Sequence, residues 1–331
     1  MQKKYIVSYS YLRIFACLAV VLLHLLNAST IYFFKEMSVS QATIVGQILH
    51  QTIWAVPCFL MITGALLLNP EKEIPMKKIV GKYIRRVLMA LIVFTFIFQC
   101  IDYGFHEEHE IFLKFFTNLF TGYSWPHMWY LYLMIFIYLL LPFFKIITKY
   151  MDDRMLIYLV VLMLIFNSNI PIITAFKIPN AFQIYNFVIY PIYLFLGYLI
   201  HKKGLPKLSC VILIICGTVG IVLATTLKPT DGVKAFYDYA SPFVIMQAMG
   251  IFGLFDQWKI STMNPVVHFL DSTTFGVYLI HFIFVKVVMK FLHFNPYHYG
   301  IWVFFVMMIV FFICSSLITA LIRKIPKLQL L

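Results

Sequence analysis

The fold is decided by residues 11–32, Tyr-Leu-Arg-Ile-Phe-Ala-Cys-Leu-Ala-Val-Val-Leu-Leu-His-Leu-Leu-Asn-Ala-Ser-Thr-Ile-Tyr. The run is long and apolar enough for a membrane-spanning helix, which needs about 20 residues. It contains two ionisable side chains, Arg13 and His24. Their spacing on a helix leaves them about 20° apart around the axis and ~16 Å apart along it. We therefore expect both on one face, and because polar groups in a bilayer are costly, that face should meet a partner, a cavity or a substrate.

The composition of the whole chain predicts a polytopic membrane protein. Of its 331 residues, 62% are hydrophobic and 12% are charged, whereas a soluble domain is roughly half apolar. The 6 cysteines form no Cys-x-x-Cys or Cys/His ligand pattern, so we expect neither disulfides nor structural zinc. The first apolar run is long, lacks a convincing cleavage site and precedes further spans, which indicates a retained anchor rather than a signal peptide.

Apolar runs of roughly 17 to 25 residues predict about ten membrane spans. They cover residues 11–32, 44–68, 84–104, 128–148, 155–173, 183–200, 209–227, 239–256, 267–290 and 299–321. No soluble region, low-complexity tract or obvious repeat interrupts them, which predicts a single domain over residues 1–331. The expected fold is an all-α, polytopic transmembrane helical bundle.

The basic residues divide unevenly between the loops on the two sides of this predicted bundle. With the N-terminus in the cytoplasm, 19 of the 26 Lys and Arg residues fall in cytoplasmic segments and 7 in external ones. The positive-inside rule therefore predicts that both termini are cytoplasmic and that the number of spans is even. The net charge of +13 is then mainly a topology signal and gives no evidence for a nucleic-acid partner.

Four segments, taken in order, resemble the motifs of one family. They are Arg13 with His24, Val-Pro-Cys-Phe-Leu-Met-Ile-Thr-Gly at 56–64, His-Met-Trp-Tyr-Leu at 127–131 with Pro142, and Thr-Phe-Gly-Val-Tyr-Leu-Ile-His at 274–281. They resemble the acyltransferase 3 family of bacterial integral membrane acyltransferases over nearly the whole chain. The resemblance implies ten spans, in agreement with the apolar runs, and a fourth helix that ends at its proline.

The resemblance also implies an activity. It implies transfer of an acyl group, usually acetyl, from cytoplasmic acetyl-CoA or another acyl-CoA to a hydroxyl of a cell-envelope or extracellular polysaccharide or a lipid-linked sugar. It places the protein among the lipids of the bacterial inner membrane, and no metal is expected. A transporter or flippase of a glycan is the alternative, although such proteins often show internal repeats. A family member that has lost catalysis is a third possibility, against which the presence of Arg13 and His24 argues.

Arg13 and His24 match the arginine and histidine of the family's first span and are the candidate catalytic residues. A hydroxyl that attacks a thioester must lose its proton, and a positioned histidine is the usual base. A histidine that forms a structural hydrogen bond between helices is the alternative for His24. Arg13 is expected to orient the donor or its phosphates, with anchoring at the inner interface as the alternative.

The family's Arg-x-x-Arg motif, which handles the acyl donor, is altered in this chain. The local sequence keeps the spacing as Lys82 and Arg85, whereas Met89 stands at the position that would pair with Arg86. All three basic residues, Lys82, Arg85 and Arg86, are candidates for CoA binding, because guanidinium groups bind phosphates bidentately. Contact with anionic lipid head groups is the competing explanation.

The two remaining motifs supply the candidate acceptor-binding residues, which are Tyr278, His281, His127, Trp129 and Tyr130. The alternative for His281, in the ninth span, is a structural hydrogen bond between helices. The alternative for the three residues at the start of the fourth span, His127, Trp129 and Tyr130, is anchoring at the membrane interface. The run His-Glu-Glu-His-Glu at 106–110 suggests a metal site, but adjacent residues lack a fixed ligand geometry. We interpret that run as a solvated loop.

Overall fold

The computed structural model is all helical in the part of the chain that it describes, residues 6–103, 108–122, 124–169, 172–173, 176, 189–227 and 233–325. Its α-helices are α1 Val7–Phe33, α2 Val39–His50, α3 Ala55–Leu67, α4 Met76–Lys78, α5 Arg85–Tyr103, α6 Glu108–Thr121, α7 Trp129–Tyr150, α8 Asp153–Leu164, α9 Ile189–Lys203, α10 Lys207–Leu227, α11 Pro242–Asp256, α12 Pro265–Lys286 and α13 Trp302–Ile322. Short 3-10 and π-helical turns extend or join several of them. The predicted all-α fold is confirmed.

Within the described ranges, 7 stretches are long and apolar enough to cross a membrane. They are Val7–Glu36, Val39–Leu67, Met76–Asp102, Ile111–Tyr150, Lys207–Leu227, Pro265–Phe291 and Trp302–Ile322. The chain is therefore a multi-pass membrane protein. The shorter helices α8, α9 and α11 overlap the other three predicted spans, and two of those spans, 155–173 and 183–200, extend outside the described residues. The count of ten spans and the cytoplasmic termini stay predictions.

The second predicted span is divided into two helices, α2 and α3, by a turn at residues 51–54. Ser38 begins α2 as a capping box, because its side chain accepts from the Gln41 backbone and the Gln41 side chain accepts from the Ser38 backbone. Pro57 lies in the first turn of α3. Backbone N–H groups there have no partner within the helix, so the proline removes no intrahelical hydrogen bond.

The expectation that the fourth helix ends at its proline is wrong. Pro142 lies inside α7, which continues to Tyr150. A proline removes one backbone hydrogen bond and disturbs the preceding turn. Membrane helices tolerate this because neighbouring helices and local adjustments satisfy the freed carbonyl.

The described chain divides into two compact units, each built from segments that are distant in sequence. The first comprises Met1–Asn69 and Thr148–Ser316, and the second comprises Pro70–Ile147 and Leu317–Leu331. In the first unit, α1 packs along α12, α3 packs against α9, and α10 packs against α11. In the second unit, α5 packs against α6. The candidate catalytic residues belong to the first unit, and the basic residues of the third predicted span belong to the second.

An exposed ion pair joins the start of α8 to the end of α9. Lys202 Nζ lies 2.7 Å from Asp153 Oδ1, and Lys203 Nζ lies 3.3 Å from Asp153 Oδ2. The hydrogen bond from Lys202 holds the pKa of Asp153 below its usual range. A carboxyl whose pKa is lowered by folding adds stability above its unfolded-state pKa and loses it as the pH falls through the folded-state pKa. Because solvent screens exposed pairs, this contribution is small.

Candidate functional site

Arg13 of α1 forms a bidentate ion pair with Asp271 of α12. Arg13 Nε donates to Asp271 Oδ1 at 2.6 Å, and Arg13 Nη2 donates to Asp271 Oδ2 at 2.8 Å. Ser10 Oγ donates to the same Oδ2 at 2.7 Å. The two side chains are 23% and 8% exposed, so the pair is largely removed from solvent. The bidentate pairing gives each of these charges an opposite charge as its partner, which lowers the cost of placing them inside a membrane.

His24 of α1 is hydrogen-bonded to His281 of α12. His24 Nδ1 lies 2.8 Å from His281 Nε2, and the other ring nitrogen of His281, Nδ1, lies 2.8 Å from the Val277 carbonyl oxygen. His281 is fully buried, whereas His24 is half-buried. The edge of the Phe282 ring contacts His24, with the ring centroids 5.5 Å apart. The histidine of the ninth predicted span therefore touches the candidate base directly.

Three contacts show that α1 and α12 run parallel and in register. Each contact joins residues that lie almost the same number of positions apart in sequence. The separation is 258 for Arg13 and Asp271, 257 for Cys17 and the Thr274 carbonyl, and 257 for His24 and His281. An almost constant separation is expected of two helices that rise together in the same direction. Arg13 and His24 thus both contact one neighbouring helix, as their shared face predicts.

Asp271 is a functional candidate that the sequence analysis did not single out. It is an acidic residue inside the predicted span 267–290. An intramembrane carboxylate normally has a cationic partner, and that rule was the available signal. The identity of the partner was not available from sequence, because helix periodicity does not show which two helices are neighbours.

A second polar cluster lies one turn before Arg13, at the start of α1. The Tyr9 hydroxyl donates to Asp256 of α11, and His201 Nδ1 of α9 lies 2.7 Å from Asp256 Oδ1. Tyr9 is buried, and the Asp256 side chain is 8% exposed. Sequence analysis missed this cluster as well. It joins the start of α1 to α9 and α11, and so sets the position from which Arg13 and His24 project.

The basic residues of the third predicted span differ in burial. Lys82, in the π-helical turn Ile79–Ile84, and Arg85, at the start of α5, are exposed. Arg86 is half-buried and lies close enough to Tyr138 of α7 and to Arg323 to interact with both electrostatically. Arg86 therefore differs from Lys82 and Arg85 in solvent exposure, since it alone of the three is half-buried.

The aromatic opening of α7 lies in the second unit. His127 is buried, with its ring centroid 5.5 Å from that of Phe98. Trp129 and Tyr130 are half-buried and contact each other edge to face at 6.0 Å. Burial places His127 in the packing of this unit, whereas Trp129 and Tyr130 keep partly accessible faces. In the first unit, Tyr278 is half-buried, and its ring centroid lies 6.4 Å from that of His281.

The structure shows no metal-binding arrangement in the part of the chain that it describes. Among those residues, no group of 3 or more His, Cys, Asp or Glu side chains could hold a metal ion. Positions 106 and 107 of the candidate metal loop lie outside the described residues.

An ion pair and an imidazole pair between two spans of a multi-pass helical bundle are the kind of intramembrane ionisable groups that mark functional sites in membrane proteins. Comparison with known families agrees: the model of the acyltransferase 3 family, described as an acyltransferase domain, matches residues 6–321. The chain therefore belongs to the acyltransferase 3 family, and the family predicted from the sequence is confirmed. No curated protein matches the chain. No solved structure matches it either.

Proposed function

We propose that the protein transfers an acyl group, most simply acetyl, from cytoplasmic acyl-CoA to a hydroxyl of an envelope or extracellular polysaccharide or a lipid-linked sugar, at the inner membrane of a bacterium. Membership of the acyltransferase 3 family supports acyl transfer. The observation that carries the mechanism is the hydrogen bond between His24 of α1 and His281 of α12, two helices long and apolar enough to cross a membrane. Attack by a hydroxyl requires a general base, and an imidazole in this setting suits that role.

His24 serves as the base in the proposed reaction. The acceptor oxygen attacks the carbonyl carbon of the thioester, and its proton passes to the His24 imidazole. The carbon–sulfur bond breaks as the new ester bond is completed, and the sulfur leaves as the CoA thiolate. That thiolate takes the proton from His24, so the histidine returns to its starting state and no further reactant is needed.

Arg13 contributes to this proposal through α12. Its ion pair with Asp271 holds α1 in register with the helix that carries His281. Its Nε and Nη2 atoms already bind a carboxylate, so the pair as a whole carries no net charge. Arg13 remains a candidate for orienting the acyl donor, but Arg86 is better suited to supply the positive charge that the CoA phosphates require.

Arg86 is the best-supported residue for binding the donor phosphates. It is half-buried and close enough to a second guanidinium group, that of Arg323, for the two charges to interact electrostatically. Like charges held close together repel, and a phosphate between them would turn this repulsion into two charge-assisted contacts. Lys82 and Arg85 are exposed, which suits lipid head groups. In this proposal Arg86 takes the place of the family's arginine motif, although the sequence spacing favours Lys82 and Arg85.

Acceptor binding is assigned to side chains that keep an accessible face. Tyr278, next to His281 on α12, is one such group, and the pair Trp129 and Tyr130 is another. Half-buried aromatic rings with one polar end suit the apolar faces and hydroxyls of sugars. His127 is buried in the second unit, so we assign it to packing.

The experiment that tests this function replaces His24 with glutamine in cells that lack the native copy. Ester-linked acyl groups on the envelope polysaccharide would be measured by mass spectrometry, together with CoA release in membranes. We expect His24→Gln to lower the rate by about 10² to 10⁴, the usual contribution of a general base, with acyl-CoA binding retained. The matched control is His268→Gln, an exposed histidine of α12, which should keep the wild-type rate.

Two outcomes would contradict the proposal. Wild-type acylation by the His24→Gln protein would make His24 a packing residue. Movement of a glycan without any release of CoA would instead support the transporter alternative.

A further inference from the structure

We propose that His281 is a positioning residue that holds His24 in one tautomer, with the proton on Nδ1 and the lone pair on Nε2. The inference rests on the proposed function, because it concerns the base of that reaction. It extends the proposal by assigning each hydrogen in a chain that runs from the Val277 carbonyl through His281 to His24.

The direction of this chain follows from its first contact. A backbone carbonyl oxygen can only accept a hydrogen bond, so His281 Nδ1, 2.8 Å from the Val277 oxygen, carries a hydrogen. A neutral imidazole has one N–H, and Nε2 of His281 therefore holds the lone pair. His24 Nδ1, 2.8 Å from that nitrogen, must be the donor. A neutral His24 then keeps its own lone pair on Nε2.

The alternative assignment requires a charged His281. If His281 carried hydrogens on both ring nitrogens, His24 Nδ1 would accept and His24 Nε2 would be protonated and unable to act as a base. His281 is 0% exposed and lies in a membrane-spanning helix. An imidazolium in that place, with only the neutral backbone of Val277 and Tyr278 and a neutral imidazole as hydrogen-bond partners, is strongly disfavoured. The neutral assignment is the one that the burial supports.

The surrounding contacts keep the two rings in place. Val277 is one turn before His281 on the same helix, so the acceptor of the first hydrogen bond moves with the ring it orients. The Arg13–Asp271 pair and the Cys17 contact hold the two helices in register on one side of the imidazole pair. A hydrogen bond to the nitrogen opposite the basic one is the arrangement by which triad enzymes orient their histidine. Because the partner here is a neutral imidazole, it contributes orientation rather than a negative charge.

The test compares two substitutions at His281 with a matched control in full-length protein reconstituted in lipid nanodiscs. His281→Leu removes the acceptor, whereas His281→Gln keeps an amide oxygen that can accept from His24 Nδ1. We expect His281→Leu to lower kcat by about 10- to 100-fold, the range known for removing the orienting partner of a metal-bound imidazole, with KM for acyl-CoA unchanged. His281→Gln should restore most of kcat. Phe282→Leu, which alters packing on the same His24 ring without removing a hydrogen bond, should change kcat little.

A second measurement reports the tautomer without any activity. In protein labelled with nitrogen-15 histidine, solid-state NMR should show His24 with a protonated Nδ1 and an unprotonated Nε2, and His281→Leu should abolish this pattern. His24→Gln identifies the signals of His24. The inference is overturned if wild-type Nδ1 is unprotonated, or if His281→Leu lowers kcat without changing the His24 signals. If the tautomer is as expected but His24→Gln remains active, the proposed function fails while the structural assignment stands.

Discussion

At the scale of single residues, removing one partner of the ion pair between Arg13 and Asp271 should weaken the contact between α1 and α12. Asp271→Ala leaves a largely buried guanidinium without its carboxylate, which typically costs ~3 to 5 kcal/mol of unfolding free energy. We expect a loss at the lower end, because 23% of the Arg13 side chain is exposed. Thermal or denaturant unfolding in nanodiscs would measure it. Replacing both partners, as Arg13→Met with Asp271→Leu, should recover most of the loss.

The matched control for that measurement is the exposed pair of Asp153 and Lys202. Its 2.7 Å contact is as short as that of Arg13, but both side chains are substantially exposed. Asp153→Ala should therefore lower the unfolding free energy much less than Asp271→Ala, because solvent screens the exposed pair. Equal losses from Asp271→Ala and Asp153→Ala would show that burial does not strengthen the Arg13 pair.

The donor-binding residue can be identified by comparing two neighbouring arginines. Arg86→Ala should weaken binding of acyl-CoA by about 10- to 100-fold, because a lost charge-assisted hydrogen bond typically costs ~1.5 to 3 kcal/mol. Arg85→Ala is the matched control, with the same charge change at an exposed position, and should bind normally. Calorimetry in nanodiscs would measure both affinities. The reverse order of effects would assign the phosphates to the exposed face and return Arg86 to a structural role.

Sequence reasoning reached the catalytic candidates but not their partners. The shared face of Arg13 and His24 follows from helix geometry, which depends only on positions within one segment. Asp271 and His201 are polar residues whose roles depend on neighbours roughly 50 to 260 positions away. No local pattern specifies such neighbours, so their pairing is visible only in the structure.

At the scale of helices, two glycines explain how closely α3 and α9 pack. A Cβ atom on Gly64 would lie 2.0 Å from the Leu194 carbonyl oxygen, and one on Gly197 would lie 2.1 Å from the Met61 carbonyl oxygen. Each glycine therefore faces the backbone of the other helix. Small residues at such crossings allow close approach, which is how membrane helices gain packing energy. This contact gives a structural reason for the glycine that ends the motif at 56–64.

Substitution at that crossing should separate the two helices. Gly64→Ala and Gly197→Ala each place a methyl group against backbone that cannot move aside, and overpacking of this kind costs typically ~1 to 3 kcal/mol. Gly46→Ala is the matched control, because a Cβ atom at that helical glycine would meet nothing within 4 Å. We expect lower unfolding temperatures for the first two variants and an unchanged or higher value for the control. Equal stability of all three proteins would show that the crossing is not tightly packed.

Helix positions were more predictable than helix ends. Each predicted span overlaps an observed helix because apolar length alone identifies such segments. The division of 44–68 was missed, and the helix end at Pro142 that the family resemblance implied is wrong, whereas the predicted span 128–148 already ran past that proline. Both depend on how neighbouring helices satisfy a few backbone groups, which a hydropathy pattern does not contain.

At the scale of the whole molecule, the all-helical class of fold follows from the lipid bilayer that surrounds the chain. A bilayer core offers no hydrogen bonds to the backbone, so its amides must be satisfied internally, and continuous apolar runs of about 20 residues do this as helices. The grouping of those helices into two compact units does not follow from the same rule. It depends on side-chain packing between segments far apart in sequence, such as α1 with α12.

The orientation of the chain relative to the two sides of the membrane can be tested directly. The excess of Lys and Arg in one set of loops predicts that the termini and the segment 69–86 face the cytoplasm and that the segment 105–127 is external. A single cysteine would be placed at Glu73 or at Glu108, in a background where Cys100, Cys216 and Cys314, which are not fully buried, are replaced. An impermeant thiol reagent added to intact cells should label the Glu108→Cys protein and leave the Glu73→Cys protein unlabelled until the cells are opened. Labelling of the Glu73→Cys protein alone would show that the orientation is the opposite of the predicted one. Arg86 would then lie on the side of the membrane that lacks CoA, and the proposed donor site would be wrong.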